Sequence, residues 1–257
     1  MNAVLPTREG GHDPIRASHT MTPENKEIAA MLTTETSPAT AAASRPHLGR
    51  RGLLGLAMAA AVAPAFAPRA FADAASSDAV AAIQGFNDAL VAAMKSGKST
   101  DFNRRFAALA AVIDRTFDLT AVLAVSVGPR WASLPADQQG RLLDAFRRYT
   151  VASYVANFDH YNGQTFTVSP EVRTIGAGQA VVRSKIVPVN GDAVDFGYVM
   201  RQTPSGWRVV DVLADGSISR VATQRSDFRS LLTSGGGDAL LASLQRKAAD
   251  LSGGALA

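Results

Sequence analysis

Apolar side chains recur every three to four positions from Asp78 onward, where Val80, Ile83, Phe86, Leu90, Val91 and Met94 make one stripe of a helix that Ser96-Gly97 ends. A second helix follows from Asp101, with Phe102, Phe106, Leu109, Val112 and Ile113 on one face, and breaks near Thr116. Asp118 stands where its carboxylate can accept the free amides of a short third helix, 119–125, which Gly128-Pro129 stops. Pro135, placed in the first turn, opens a long helix to about Phe158, with Asp137 near its positive end. Leu142, Phe146, Tyr149 and Ser153 form one row of that helix, and Leu143, Arg147, Thr150, Tyr154 and Phe158 an adjacent one.

After Tyr161-Asn162-Gly163 the period changes from 3.6 to 2. Phe166 and Val168, then Val182, Ser184 and Ile186, then Val194, Phe196, Tyr198 and Met200 alternate with more polar neighbours, as half-buried antiparallel strands do. Turn signals separate them at Gly176-Ala-Gly178, Asn190-Gly191-Asp192 and Pro204-Ser-Gly206, and a strand from Trp207 to Leu213 closes the sheet. Two helices, 218–233 and 238–251, follow on either side of Gly235-Gly-Gly237. Helices, a four- to five-stranded antiparallel meander, then helices define an α+β fold.

The segment before this pattern reads differently. Arg45, Arg50 and Arg51 precede an apolar run, 53–63, and Ala70-x-Ala72 offers small residues for a peptidase. Pro64 and Pro68 interrupt the run well short of the roughly 20 residues a bilayer span needs. Residues 45–72 are therefore expected to be a cleaved signal peptide, with 73–257 as one domain. The adjacent arginines followed by Gly-Leu-Leu resemble a twin-arginine signal. Residues 1–44 have no apolar periodicity and are expected to be disordered, or untranslated if synthesis starts at Met21 or Met31.

Charge and cysteine content narrow the chemistry. The first 72 residues hold seven of the 26 lysines and arginines and five of the 22 acidic residues, which leaves a nearly neutral domain and gives no reason to expect nucleic acid. With no cysteine, disulfides, thiolate catalysis and Cys-ligated metals are excluded. His160 is the one histidine of the domain, so a His-rich zinc site is excluded and a Ser-His-Asp triad would depend on it. No metal or other cofactor is expected.

Three constellations remain. Asp211 follows Trp207 and Val209 on one strand face, either as an acceptor for backbone amides or an arginine such as Arg225, or as a general base in an apolar cavity with His160 or Tyr154 as partner. His160 follows a helix end, where it can meet free carbonyls. Arg220, Arg225 and Arg229 lie on one helix, as a solvated face or as a docking surface for acidic partners or lipid headgroups.

The order of several short pieces resembles a known family. They are Phe117-Asp118; Trp131 with Leu134 and Gln138; Tyr154; Trp207-x-Val209-x-Asp211-Val212; Gly216 with Ser219; and Arg225-Ser-Asp-Phe228. Over about Val80 to Leu251 they are similar to the periplasmic lipid carriers that include the soluble component of the Mla phospholipid pathway and the toluene-tolerance proteins. Phospholipid carriers usually have a Gly-Val-Ser-Leu turn followed by Tyr-Arg; here the stretch from Asp215 to Phe228 looks more like the hopanoid-associated HpnM branch. The resemblance implies a deep apolar cavity between helices and sheet, and no catalysis. It also implies a periplasmic shuttle that takes a hopanoid or phospholipid between membranes, with transient membrane contact and an ABC-transporter-associated membrane partner.

A carrier must replace the bilayer for its cargo, because exposing a lipid chain to water costs about 0.8 kcal/mol per CH₂. The residues expected to line such a cavity are Phe196, Tyr198, Met200, Val182 and Ile186 from the sheet, Tyr154 and Phe158 from the long helix, and Trp131 at the mouth. An isomerase- or dehydratase-type enzyme using Asp211 or His160 as base is the rival expectation. A third is an accessory that bridges membrane proteins through the arginines around Arg225.

Overall fold

The computed structural model describes residues 69–257, with side chains from Ser76 onward. The segment 1–44, the Arg50-Arg51 pair and the apolar run 53–63 of the expected leader lie outside the described residues. Helix α1 (Arg69–Ser96) begins upstream of the expected start at 78 and buries Ala79, Ile83, Phe86, Leu90 and Met94. Asp101 caps α2 (Phe102–Thr116) by accepting from the amides of Asn103 and Arg104 at 2.9 and 3.3 Å. Arg105 is buried on this helix, its guanidinium donating to the carbonyls of Thr100 at 3.2 Å and Val155 at 3.1 Å.

Asp118 takes the capping role read from the sequence. Its Oδ1 accepts from the amide of Ala121 at 2.9 Å at the start of α3 (Leu119–Val127), and its Oδ2 from Arg201 at 2.5 Å. Gly128 ends α3 at φ 76°, and a 3₁₀ turn (Gly128–Ser133) that periodicity does not announce leads to Leu134. Pro135 is the N-cap of α4 (Ala136–Asn157), one place before the expected first turn, because its φ of −55° is followed by extended backbone at ψ 146°.

Strands β1 (Thr165–Gly176), β2 (Gln179–Val187), β3 (Val194–Thr203), β4 (Gly206–Ala214) and β5 (Ile218–Ser219) form one antiparallel sheet in sequence order. Ile218 was expected to open a helix, but it pairs with Ala214 as β5. Asp215 and Gly216 explain the difference: both have positive φ, 50° and 68°, and Ser217 donates to the Ala214 carbonyl at 3.1 Å, which is the mirror-image hairpin turn that Asp-Gly favours. Helix α5 (Arg220–Leu251) then starts at Arg220 and is broken at Gly235 and Gly236, so the expected pair of helices is present.

Helix α1 lies across the inner face of the sheet, α2 packs on α1 and α4, and α5 on α4 and α3. The core fills the space between these helices and one face of the meander. The fold is α+β.

Candidate functional site

The inner face of the sheet is set by pairing. Ser184 stands opposite Phe196, Val182 opposite Tyr198, and Ile186 opposite Val194; Tyr198 in turn faces Val212, and Met200 faces Val209. All of these are buried. Between Met200–Val209 and Val199–Asp211 the register shifts, leaving Val210 without an opposite number. This bulge changes the phase of β4, so Val212 and Ala214 follow Val209 into the core. The expected continuation of Trp207 and Val209 into Asp211 on one face is therefore corrected: Asp211 pairs with Val199 and is half-buried.

Over this face lies a seam of aromatic rings. Phe86 of α1 meets Phe117, Tyr154 and Tyr198 edge-on at centroid distances of 5.2, 5.3 and 6.1 Å. Tyr154 stacks on Phe158 at 6.0 Å, and Phe158 meets Phe166 of β1 at 6.2 Å. Burial pushes the Tyr154 phenol up to about 12, with the charge of Arg220 pulling the other way. Tyr198 is raised well above its usual value by burial, and further by Tyr154.

Beside the seam a cavity opens between α3, α4, β4 and the start of α5. Its apolar wall is Phe117, Leu119, Val122, Phe146, Val209, Val212 and Val221, and its polar edge Thr150, Tyr154, Asp211, Arg220 and Gln224. Its volume is about 20 Å³. That is room for about one water. Phe117 and Leu119 also border a polar surface groove of about 460 Å³ with Asp114, Asp118, Asp144, Arg147 and Arg208. The wall between interior and surface is thus one residue thick at this point.

Asp211 is an acceptor. Its Oδ1 accepts from the amides of Val212 at 2.8 Å and Val221 at 3.0 Å, and its Oδ2 from the Ser219 hydroxyl at 2.5 Å. Ser219 in turn caps α5 by accepting from Ala222 at 3.0 Å, so Asp211 ties β4 to that helix. His160 is exposed and its Nδ1 lies 2.7 Å from Asp159, which Lys98 also reaches at 3.0 Å. The structure does not join His160 to Asp211.

Of the residues expected to line a cavity, Tyr154 borders this one. Phe158, Val182, Ile186, Phe196, Tyr198 and Met200 are buried in the adjoining core, and Trp131 is half-buried in the 3₁₀ turn. The three arginines separate: Arg220 is half-buried at the cavity, whereas Arg225 and Arg229 are exposed. Arg225 lies over Gly128, where a Cβ would come within 3.4 Å of its guanidinium. Sequence reasoning did not assign Phe117, Leu119, Val122, Phe146, Thr150 or Gln224 to the wall. Their helical rows were visible, but not which row faces a gap.

Among the described residues, no three His, Asp or Glu side chains gather where they could hold a metal ion, and no helix is long and apolar enough to cross a membrane. A solved structure of a phospholipid-binding protein from Ralstonia solanacearum, in complex with a phospholipid, is similar to this chain with a TM-score of 0.54 at 22% identity, covering 72% of this chain and 98% of that one. The likeness shows a shared fold. A sequence model described as MlaC protein matches residues 84–246, from the first helix through most of the last, and the chain belongs to the MlaC protein family.

Proposed function

We propose that this protein is a periplasmic lipid carrier, exported by the segment 45–72, that takes up the acyl chains of a phospholipid between its helices and sheet and exchanges it with membrane-embedded transport machinery. The observation that carries the reading is the apolar cavity continuous with the Phe86–Tyr154–Phe158–Phe166 seam, an interior of the chemistry that replaces a bilayer. The related Ralstonia protein was solved with a phospholipid, which supports this class of cargo.

Loading requires the walls to part, since the cavity admits about one water and an acyl chain needs far more. The apolar wall offsets the cost of about 0.8 kcal/mol for each CH₂ that would otherwise meet water. As α3 and α4 separate from β4, Phe158 and the inward residues Val182, Ile186, Phe196, Tyr198 and Met200 extend the lining, and Trp131 flanks the entrance. Arg225 and Arg229, both exposed, meet anionic headgroups or acidic partners. The turn and helix start from Asp215 to Phe228 support a second cargo, a hopanoid, through their likeness to the hopanoid-associated branch.

Mass spectrometry of lipid extracted from the exported, gently purified protein tests the proposal. Near-stoichiometric phospholipid is expected, and Val122→Phe, which fills the cavity from α3, should lower occupancy several-fold while the protein stays folded. Recovery of a hopanoid would replace the cargo; a lipid-free protein that also takes up none from vesicles would sink the carrier reading.

A further inference from the structure

Exposed apolar side chains gather at one end of the molecule. Six large ones are exposed among the described residues, and three of these, Tyr161, Val187 and Val189, come from two segments that touch. Val187 closes β2 opposite Thr165, and Gly163, at φ 93°, leaves room where a Cβ would come within 2.8 Å of the Val189 side chain. Both segments are anchored from beneath. Pro188 is buried between the two exposed valines, and Gln164, also buried, accepts from the Asn162 amide at 2.7 Å. Val189 is thereby held outward, 64% exposed.

The charges around this patch fit a bilayer surface. Of the four lysines among the described residues, Lys95, Lys98 and Lys185 stand here. The Lys95 amine lies over the Tyr161 ring, 5.0 Å from its centroid. Lys98 reaches Asp159 at 3.0 Å with its own side chain 79% exposed and that of Asp159 only 15%, so the cation faces outward and the anion lies beneath it. Lys185 holds Asp195 at 3.2 Å, and Asp192 in the next turn opposes the lysines in part. Lysine carries its ammonium on a flexible apolar stem, and tyrosine and lysine together suit the level where lipid headgroups meet the apolar layer.

The interior reaches the same end. Phe158, just before Asp159, meets half-buried Phe166 at 6.2 Å, and Phe166 adjoins the Thr165–Val187 pair, so the aromatic seam ends behind the patch. The 22 residues of α4, about 33 Å of helix, separate this end from the turn that carries Trp131. The two ends are then free for different partners.

We propose that Tyr161, Val187 and Val189, with Lys95, Lys98 and Lys185 around them, seat the protein on the headgroup region of a phospholipid bilayer that contains anionic lipid. This rests on the carrier reading above and adds to it the side of the molecule that meets the membrane.

The chain has no cysteine, so Val189→Cys in the exported protein can carry an environment-sensitive dye at that position alone, with Val125→Cys, an exposed site on α3, as control. Vesicles of phosphatidylcholine and phosphatidylglycerol should shift the dye at 189 to the blue and leave the dye at 125 unchanged. Without dye, Val189→Asp should weaken sedimentation with these vesicles about tenfold and Lys95→Gln about fivefold, while phospholipid extracted from both variants stays at the wild-type level. Wild type that does not sediment, equal shifts at both dye positions, or binding unchanged in Val189→Asp would overturn the docking site. A shift at 189 that follows protein concentration and not vesicles would overturn it too, and would assign the patch to a second copy of the chain. Each of these results leaves the carrier reading standing where phospholipid is recovered from the protein; a protein that neither holds nor takes up lipid sinks that reading, and its sedimentation with vesicles still decides the docking site.

Discussion

Tyr154 and Tyr198 carry phenols into the most apolar part of the molecule, and this couples stability to alkaline pH. Burial lifts Tyr154 to about 12 against the usual 10.0, with Arg220 opposing. A tyrosine that holds its proton more tightly folded than unfolded contributes stability fully present below pH 10 and lost as pH rises toward 12. For Tyr154 that contribution is about 3 kcal/mol, at 1.36 kcal/mol per unit. Denaturant melts between pH 8 and 12, with tyrosine absorbance followed in parallel, should show stability falling above pH 10 and a group that ionises only on unfolding; an alkaline decline undiminished in Tyr154→Phe would contradict this. Alternation along β2 and β3 was enough to mark Val182, Ile186, Phe196, Tyr198 and Met200 as inward. Whether an inward residue meets packed atoms or a gap depends on distant partners, such as Phe86 over Tyr198, and no local pattern carries that. The acceptor role of Asp211 was one of two readings of the sequence, and the donors it meets include Val221, in a helix that follows the next turn.

Among the elements, the helices were legible because their stripes are long and their caps chemically explicit, as Asp101 and Asp118 illustrate. Two features of β4 were not. Its bulge at Val210 leaves an apolar run that reads as unbroken alternation, and its turn into β5 is so tight that the two paired residues look like the approach to a helix. Glycine positions fared better: Gly235-Gly236 breaks α5, with Gly236 at φ 66° and ψ −156°, a region other residues enter at a cost of about 1–3 kcal/mol. Gly236→Ala should therefore lower stability by that amount in equilibrium unfolding, although nothing lies within 4 Å of where its Cβ would go. A neutral result would mean that the break shifts along the helix at no cost.

At the scale of the whole molecule, each sheet neighbour is also the neighbour in sequence, so the meander is made of local hairpins. The helix layer needs longer-range closure. Arg105 draws α2 to α4, and Phe117 bridges to Val209 while the Asp118 amide donates to the Val209 carbonyl at 2.9 Å, fixing the helices to the sheet beside the cavity. Among the described residues, β1 is one of the two edge strands of the sheet. There β1 carries Ser169, Pro170 and Glu171 opposite a single residue of β2, and the Glu171 amide turns to the Ser169 hydroxyl at 3.2 Å. Proline and an interrupted register make a poor template for another chain. Replacing Pro170 and Glu171 by valine should leave the protein folded but add concentration-dependent association in light scattering relative to the unsubstituted chain; scattering unchanged from that chain would assign the protection elsewhere. If loading parts the walls as proposed, the protein is most exposed to sticking to its own copies at that moment, and an edge that refuses to pair keeps the open form from becoming a seed.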